Sequence, residues 1–114
     1  MNGSPLSGYP TFVKGLVKNR SHGIEGFLHA AVGMSGESGE VLDLIKKTWV
    51  SNKTLDTDKL KQEAGDILFY LQQLCNLLGV SLEEIAAMNI AKLSKRYPNG
   101  YSDAASHARL DVMA

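Results

Sequence analysis

The sequence predicts an all-α protein, an antiparallel helical bundle of about four helices completed by oligomerisation. Three observations carry this. Apolar residues of the central region recur at spacings of three and four, and nothing there alternates with period two over a useful length. Capping and stop residues punctuate that region at helix-length intervals. One of the segments so marked is apolar over a wider arc than a single core face requires.

Taken in order, residues 11–18 read as a short first helix, with Phe12, Val13, Leu16 and Val17 on one side. A longer second helix is expected over residues 24–50, with Phe27, Leu28, Ala31, Val32, Val41, Leu42, Leu44 and Ile45 as its apolar positions. Its weak point is the series Gly33, Gly36, Gly39, because an interior helical Gly costs about 1 kcal/mol relative to Ala. Either the helix breaks there, or those glycines let another backbone or a ligand come close. Residues 51–56 form a polar connection, and Asp56 or Thr57 caps a third helix that runs to about Leu78 and ends at Gly79. Ser81 with Glu84 three residues on is a capping box, opening a fourth helix that runs to about Tyr97, where Pro98, Asn99 and Gly100 stop it. The third and fourth helices then form a hairpin with a very short turn.

The third helix carries the broad apolar arc, from Ile67 through Leu78. It should be buried on more than one side, either by a second subunit, the favoured reading, or by the first helix folding over it.

At 114 residues the chain suits one domain, spanning residues 1–114, with loosely held ends at about 1–9 and 102–114. Twelve basic residues balance twelve acidic ones, so there is no electrostatic footprint for a nucleic acid polymer or an acidic membrane. The single cysteine, Cys75, can form neither an intrachain disulfide nor a thiolate cage, and it reads as a small core residue. That fits a cytoplasmic protein. No apolar run approaches the roughly 18 residues of a spanning helix, and the start lacks the pattern of a signal peptide.

The chemistry-bearing residues are acidic. Glu37 and Glu40 are three apart on the second helix, and Glu63 and Asp66 are three apart on the third. Residues three apart are neighbours on one helix face, so each pair is a platform for two ligand oxygens. Such pairs also occur on solvated helix faces. Here both sit on helices expected to be neighbours, one beside the strongest apolar run and the other among small residues. Four crowded carboxylates disfavour one another's ionisation, and a divalent cation removes that conflict. All-oxygen ligation selects a hard ion, Mg²⁺ with Mn²⁺ as substitute, and implies a phosphate substrate. Zinc would call for His or Cys, and a di-iron bundle for Glu-x-x-His, neither of which accompanies these acids.

The string Gly36-Glu37-Ser38-Gly39-Glu40-Val41, followed by Glu63-Ala64-Gly65-Asp66-Ile67-Leu68, resembles the Glu-x-x-Glu … Glu-x-x-Asp signature of the MazG-like, all-α nucleoside triphosphate pyrophosphohydrolases. The segment from Asn89 to Pro98 is similar to the Asn-x-x-Lys-x-x-x-Arg segment of the same family, and the likeness spans about residues 24–101. The resemblance implies hydrolysis of (deoxy)nucleoside triphosphates to monophosphate and pyrophosphate, a nucleotide-pool housecleaning activity, in a homodimer or dimer of dimers. It implies Mg²⁺ held by Glu37, Glu40, Glu63 and Asp66, and either Glu37 or Glu40 as the acceptor of the attacking water's proton. Many relatives carry a further Glu immediately before the first motif acid, where this chain has Gly36.

Asn89, Lys92 and Arg96 fall at i, i+3, i+7 on one helix face. By themselves the cations of that helix suit its negative C-terminal end. With the resemblance they read as contacts to substrate phosphate. His29, two turns before Glu37, is either a pocket contact or a buried, hydrogen-bonded side chain. Trp49 and Phe27 are either core residues or stacking surfaces, and Lys46 and Lys47 read as solvated. The competing function classes are a non-catalytic nucleotide-sensing or helical interaction module and a phosphoribosyl-ATP pyrophosphatase-like enzyme.

Overall fold

A computed structural model describes residues 3–17 and 23–109. These form five helices, α1 (Pro5–Leu16), α2 (Gly23–Ser51), α3 (Thr57–Leu78), α4 (Leu82–Arg96) and α5 (Asp103–Ala108). No strand occurs among the described residues, where pairing is limited to one isolated bridge between Pro98 and Gly100. The chain divides into two compact units, residues 1–79 and 80–114.

In the first unit, α1 starts six residues earlier than the expected Thr11. Pro5 occupies the first turn, where a missing N–H costs nothing because that N–H has no intrahelical acceptor. Ser7 Oγ donates to the Ser4 carbonyl at 2.8 Å. Helical structure thus reaches into the stretch expected to be loosely held, and Pro10 is accommodated inside it.

The second helix runs unbroken through Gly33, Gly36 and Gly39 for 29 residues. It ends where Asn52 adopts the left-handed conformation (φ 56°), a backbone state that Asn tolerates better than most residues. Asp56 caps α3, its carboxylate accepting from the Lys59 N–H at 3.0 Å, and Gly79 (φ 72°) closes it.

Helices α2 and α3 run antiparallel along their shared seam. His29 meets Gln73, Gly33 meets Tyr70, and Glu37 meets Glu63 and Asp66, so the register steps steadily in opposite directions. Gly33 has a specific cause: a Cβ there would collide with the Tyr70 ring, so the glycine sets how closely the helices approach.

The first helix covers another side of α3. Asn76 Nδ2 donates to the Pro10 carbonyl at 3.1 Å, and Gln72 Nε2 donates to Asn76 Oδ1 at 2.9 Å. Helix α1 therefore packs on α3, as α2 does, while the apolar residues 67–71, 74 and 77 of α3 stay half-buried and Leu78 is exposed. Val13, Ala30 and Cys75 are the fully buried apolar residues described. Burial pushes the Cys75 thiol pKa up, as suits a core residue.

Several expected core positions of α2 are instead on the surface. Leu28, Val32, Leu42 and Ile45 are exposed, as are Ala31 and Trp49, whereas Phe27, Val41 and Leu44 are half-buried. The helix is apolar on two sides, and α3 covers one of them.

In the second unit, Ser81 caps α4 by accepting from the Glu84 N–H at 3.0 Å. The helix stops before Tyr97 and Pro98. The stretch after Ser102, expected to be loose, contains α5, whose first turn Ser102 caps through the Ala105 N–H at 3.0 Å. Among the described residues no single helix is long and apolar enough to cross a membrane.

Candidate metal centre

Glu37 of α2 and both acids of the α3 pair meet where the two helices face each other. One carboxylate oxygen each from Glu37, Glu63 and Asp66 lies within 4.8 Å of the other two. Glu37 and Glu63 are half-buried and Asp66 is exposed, so the group opens to solvent at the side of Asp66. Glu40 is exposed and stands one turn further along α2. Three residues rotate an α-helix by about 300°, so the direction from Glu40 is about 60° off that from Glu37, which aims at α3.

The field of this group is seen in Glu37. Partial burial pushes its carboxyl above the usual carboxylate range, and the negative charges of Asp66, Glu63 and Glu40 push it further in the same direction. Glu40 is thus part of the same electrostatic cluster although its oxygen is outside the tight trio. The donors of the trio are all oxygen. Such a set fits a hard divalent cation, and a positive charge among these acids would relieve the repulsion that raises Glu37.

Along the seam from the acids, Tyr70 packs edge-on to His29, with ring centroids 6.0 Å apart, and to Phe69 at 5.1 Å. His29 is half-buried, and its Nδ1 accepts from Gln73 Nε2 at 2.9 Å. His29 is thus hydrogen-bonded across the seam between α2 and α3, and half-buried rather than buried. Gln73 was not singled out from sequence, since a polar residue beside Gln72 in an apolar helix gives no sign of its partner 44 positions away. Tyr9 was missed for the same reason. Its hydroxyl pKa is raised by burial and by the charge of Asp66, which places α1 within electrostatic reach of the acids.

Trp49 is 82% exposed, so it is not the core residue offered as one alternative. Lys46 and Lys47 are exposed as expected, with Lys47 Nζ paired to Asp43 at 2.9 Å.

The remaining sequence-selected residues are on α4. Asn89 and Lys92 are exposed, and Arg96 is half-buried at the end of the helix. The Arg96 guanidinium carbon is 5.9 Å from the centroid of the Tyr97 ring. Ser106 of α5 hydrogen-bonds the Tyr97 hydroxyl and lowers its pKa, and Arg96 and Arg109 lower it further. Tyr97 and Tyr101 are in contact at 5.2 Å, and Tyr101 donates to Asp103 at 2.9 Å. The short α5 therefore brings a second cation, Arg109, toward the end of α4 that carries Arg96.

Residues 27–101 match the MazG nucleotide pyrophosphohydrolase domain, and the match contains all four acids and all three selected residues of α4. The Gene 37 protein of Mycobacterium phage L5 is 35% identical over 81 residues, which cover 68% of this chain and 71% of that protein. No solved structure matches the chain.

Proposed function

Because the chain belongs to the MazG nucleotide pyrophosphohydrolase family, we propose that it hydrolyses (deoxy)nucleoside triphosphates to the monophosphate and pyrophosphate with Mg²⁺ as cofactor. Family membership supports pyrophosphohydrolase-type activity in general. The observation that carries the specific reading is the convergence of Glu37, Glu63 and Asp66 from two helices, with Glu40 in the same field.

In this reading Glu37, Glu63 and Asp66 would hold Mg²⁺, or Mn²⁺ in its place, with Glu40 as the fourth acid of the set. The bound ion supplies charge neutralisation and polarisation of the substrate's phosphate oxygens. Glu37 or Glu40 accepts the proton of the attacking water. The water oxygen bonds to the α phosphorus, the bridging bond between the α and β phosphates breaks, and pyrophosphate leaves with the electron pair. Lys92 and Arg96 oppose the charge of the polyphosphate, and Asn89 binds phosphate or sugar or holds a ligand side chain. The substrate is a free nucleotide and not a nucleic acid polymer, consistent with a net charge of zero. We further read the protein as a homodimer or dimer of dimers, supported by the large apolar side chains that α2 leaves exposed.

The test is a panel of canonical and modified ribo- and deoxyribonucleoside triphosphates with Mg²⁺, analysed for products. Pyrophosphate from at least one of them is expected, and Glu40→Gln or Asp66→Asn should remove that release while leaving the helical circular dichroism intact. Orthophosphate as the only product would overturn the stated reaction. Nucleotide binding without turnover across the panel would favour a sensor instead.

A further inference from the structure

We infer that the outer face of α2 is the interface between two copies of this chain, which pair through it antiparallel about a two-fold axis passing near Gly36 and Glu37. The inference rests on the oligomer reading above and adds to it a surface, an orientation and a register.

Three observations on α2 converge. The first is the pattern of exposed apolar side chains. Ile24, Leu28, Ala31, Leu42, Ile45 and Trp49 recur at helical spacing on the side away from α3, and all are exposed. They make a stripe about 38 Å long at 1.5 Å per residue, interrupted at its middle by Ser35 and Ser38. A stripe of this length on a monomer's surface is a docking surface rather than ordinary exposure.

The second is that the stripe is symmetric about its own middle. Ile24 and Trp49 are equally far from the point between Gly36 and Glu37, as are Leu28 and Ile45, Ala31 and Leu42, and Ser35 and Ser38. An antiparallel pair therefore sets each large side chain of one copy opposite a large one of the other, and small opposite small, as a self-complementary two-fold interface requires. Ser35, Ser38 and Gly39 lie at the crossing point. Gly36 and Gly39 have open space where a Cβ would be, so nothing within the described chain accounts for those glycines as it does for Gly33. Close approach of a second helix accounts for Gly39, which flanks the crossing point, whereas Gly36 lies about 100° round the helix from Ser35, to one side of the stripe.

The third is charge and shape at the ends. Antiparallel pairing brings Glu25 of one copy beside Lys46 and Lys47 of the other, at both ends of the interface, and opposes the two helix dipoles favourably. It also brings Ile24 of one copy, 81% exposed, to the hollow of about 300 Å³ that Ile45, Trp49 and Leu55 line at the far end of α2. Glu37 points to α3, so the acidic seam stays open while the outer face is covered.

The test combines sedimentation equilibrium of the full chain with emission from Trp49, its sole tryptophan. The wild type should be a dimer whose Trp49 emission shifts to the blue as concentration rises through the dissociation constant. Leu42→Glu, at an exposed position, should weaken the dimer by at least about thirtyfold with helical circular dichroism unchanged. Ile24→Ser serves the same purpose should Leu42→Glu fail to fold. Glu25→Lys should weaken it about fivefold, and adding Lys46→Glu and Lys47→Glu should restore it. A monomer at every concentration would overturn both this interface and the oligomer reading. A dimer untouched by Leu42→Glu and Ile24→Ser would overturn the interface and leave the oligomer reading standing. Dissociation by Leu42→Glu without charge-swap restoration would overturn the antiparallel register.

Discussion

Toward α3, the second helix presents Gly26, Ala30, Gly33 and Glu37, and on that side each group is buried or has a named neighbour. Away from α3, the same helix presents Ile24, Leu28, Leu42 and Trp49, all exposed. The contrast is sharpest in the glycines. Gly33 is held by the Tyr70 ring, whereas Gly36 and Gly39, one and two turns on, face open space. One helix thus carries a closed face that builds a polar site and an open face that is apolar, and identical residues have different physical causes on the two.

The largest break of this comparison lies on the closed face. Replacing Glu37 or Glu63 by Gln, or Asp66 by Asn, should lower pyrophosphate release by at least about 10²-fold, the scale of losing one preorganised electrostatic group. The steady-state assay with Mg²⁺ checks it. Activity within a few-fold of wild type would mean that the convergent trio is not where the reaction occurs.

Next is the paired glycine experiment. Gly33→Ala forces the helices apart or displaces Tyr70 and should cost about 1–3 kcal/mol in urea unfolding, as overpacking does. Gly36→Ala meets nothing and should raise the stability of the isolated chain by up to about 1 kcal/mol through helix propensity. Equal effects of the two substitutions would erase the distinction between the faces.

The smallest expected effect is on the pH dependence of stability without metal. The carboxyl of Glu37 is raised in the folded protein, so the folded state holds its proton to higher pH than the unfolded chain does. Stability in EDTA should therefore fall as pH rises from the ordinary carboxylate value to the raised folded value, and it should stay lower above that. Added Mg²⁺ should raise the melting temperature at neutral pH, and Glu37→Gln should remove the pH step in this window. Melting curves over the range in which carboxylates titrate, about pH 4 to about pH 7, decide it. A step of opposite sign would mean that Glu37 is stabilised, not repelled, by its surroundings.

Much of this was legible in the chain because it depends on neighbours in sequence. Asp56, Gly79 and Ser81 fix helix ends through hydrogen bonds and backbone angles that span three or four residues, and the structure places the ends there. The pairs Glu37 with Glu40 and Glu63 with Asp66 follow from helical spacing alone. Where local signals were weak or misread, the expectation slipped: Pro5 opening α1 and Ser102 opening α5 are helix starts in stretches whose composition suggests loops.

Sequence by itself determined the all-α class, the outer ends of the three longer helices and the spacing of the four acids, since short-range hydrogen bonding and the 3.6-residue period are written locally. Tertiary structure decided that α1 lies on α3, that Glu37, Glu63 and Asp66 form the tight trio with Glu40 at its edge, that His29 is tied to Gln73, and which apolar side of α2 is left open. Each of these is a choice among faces that are similar in composition. The choice is set by how whole helices pack, and a two-sided apolar helix such as α2 carries no local mark of which side its neighbour will take.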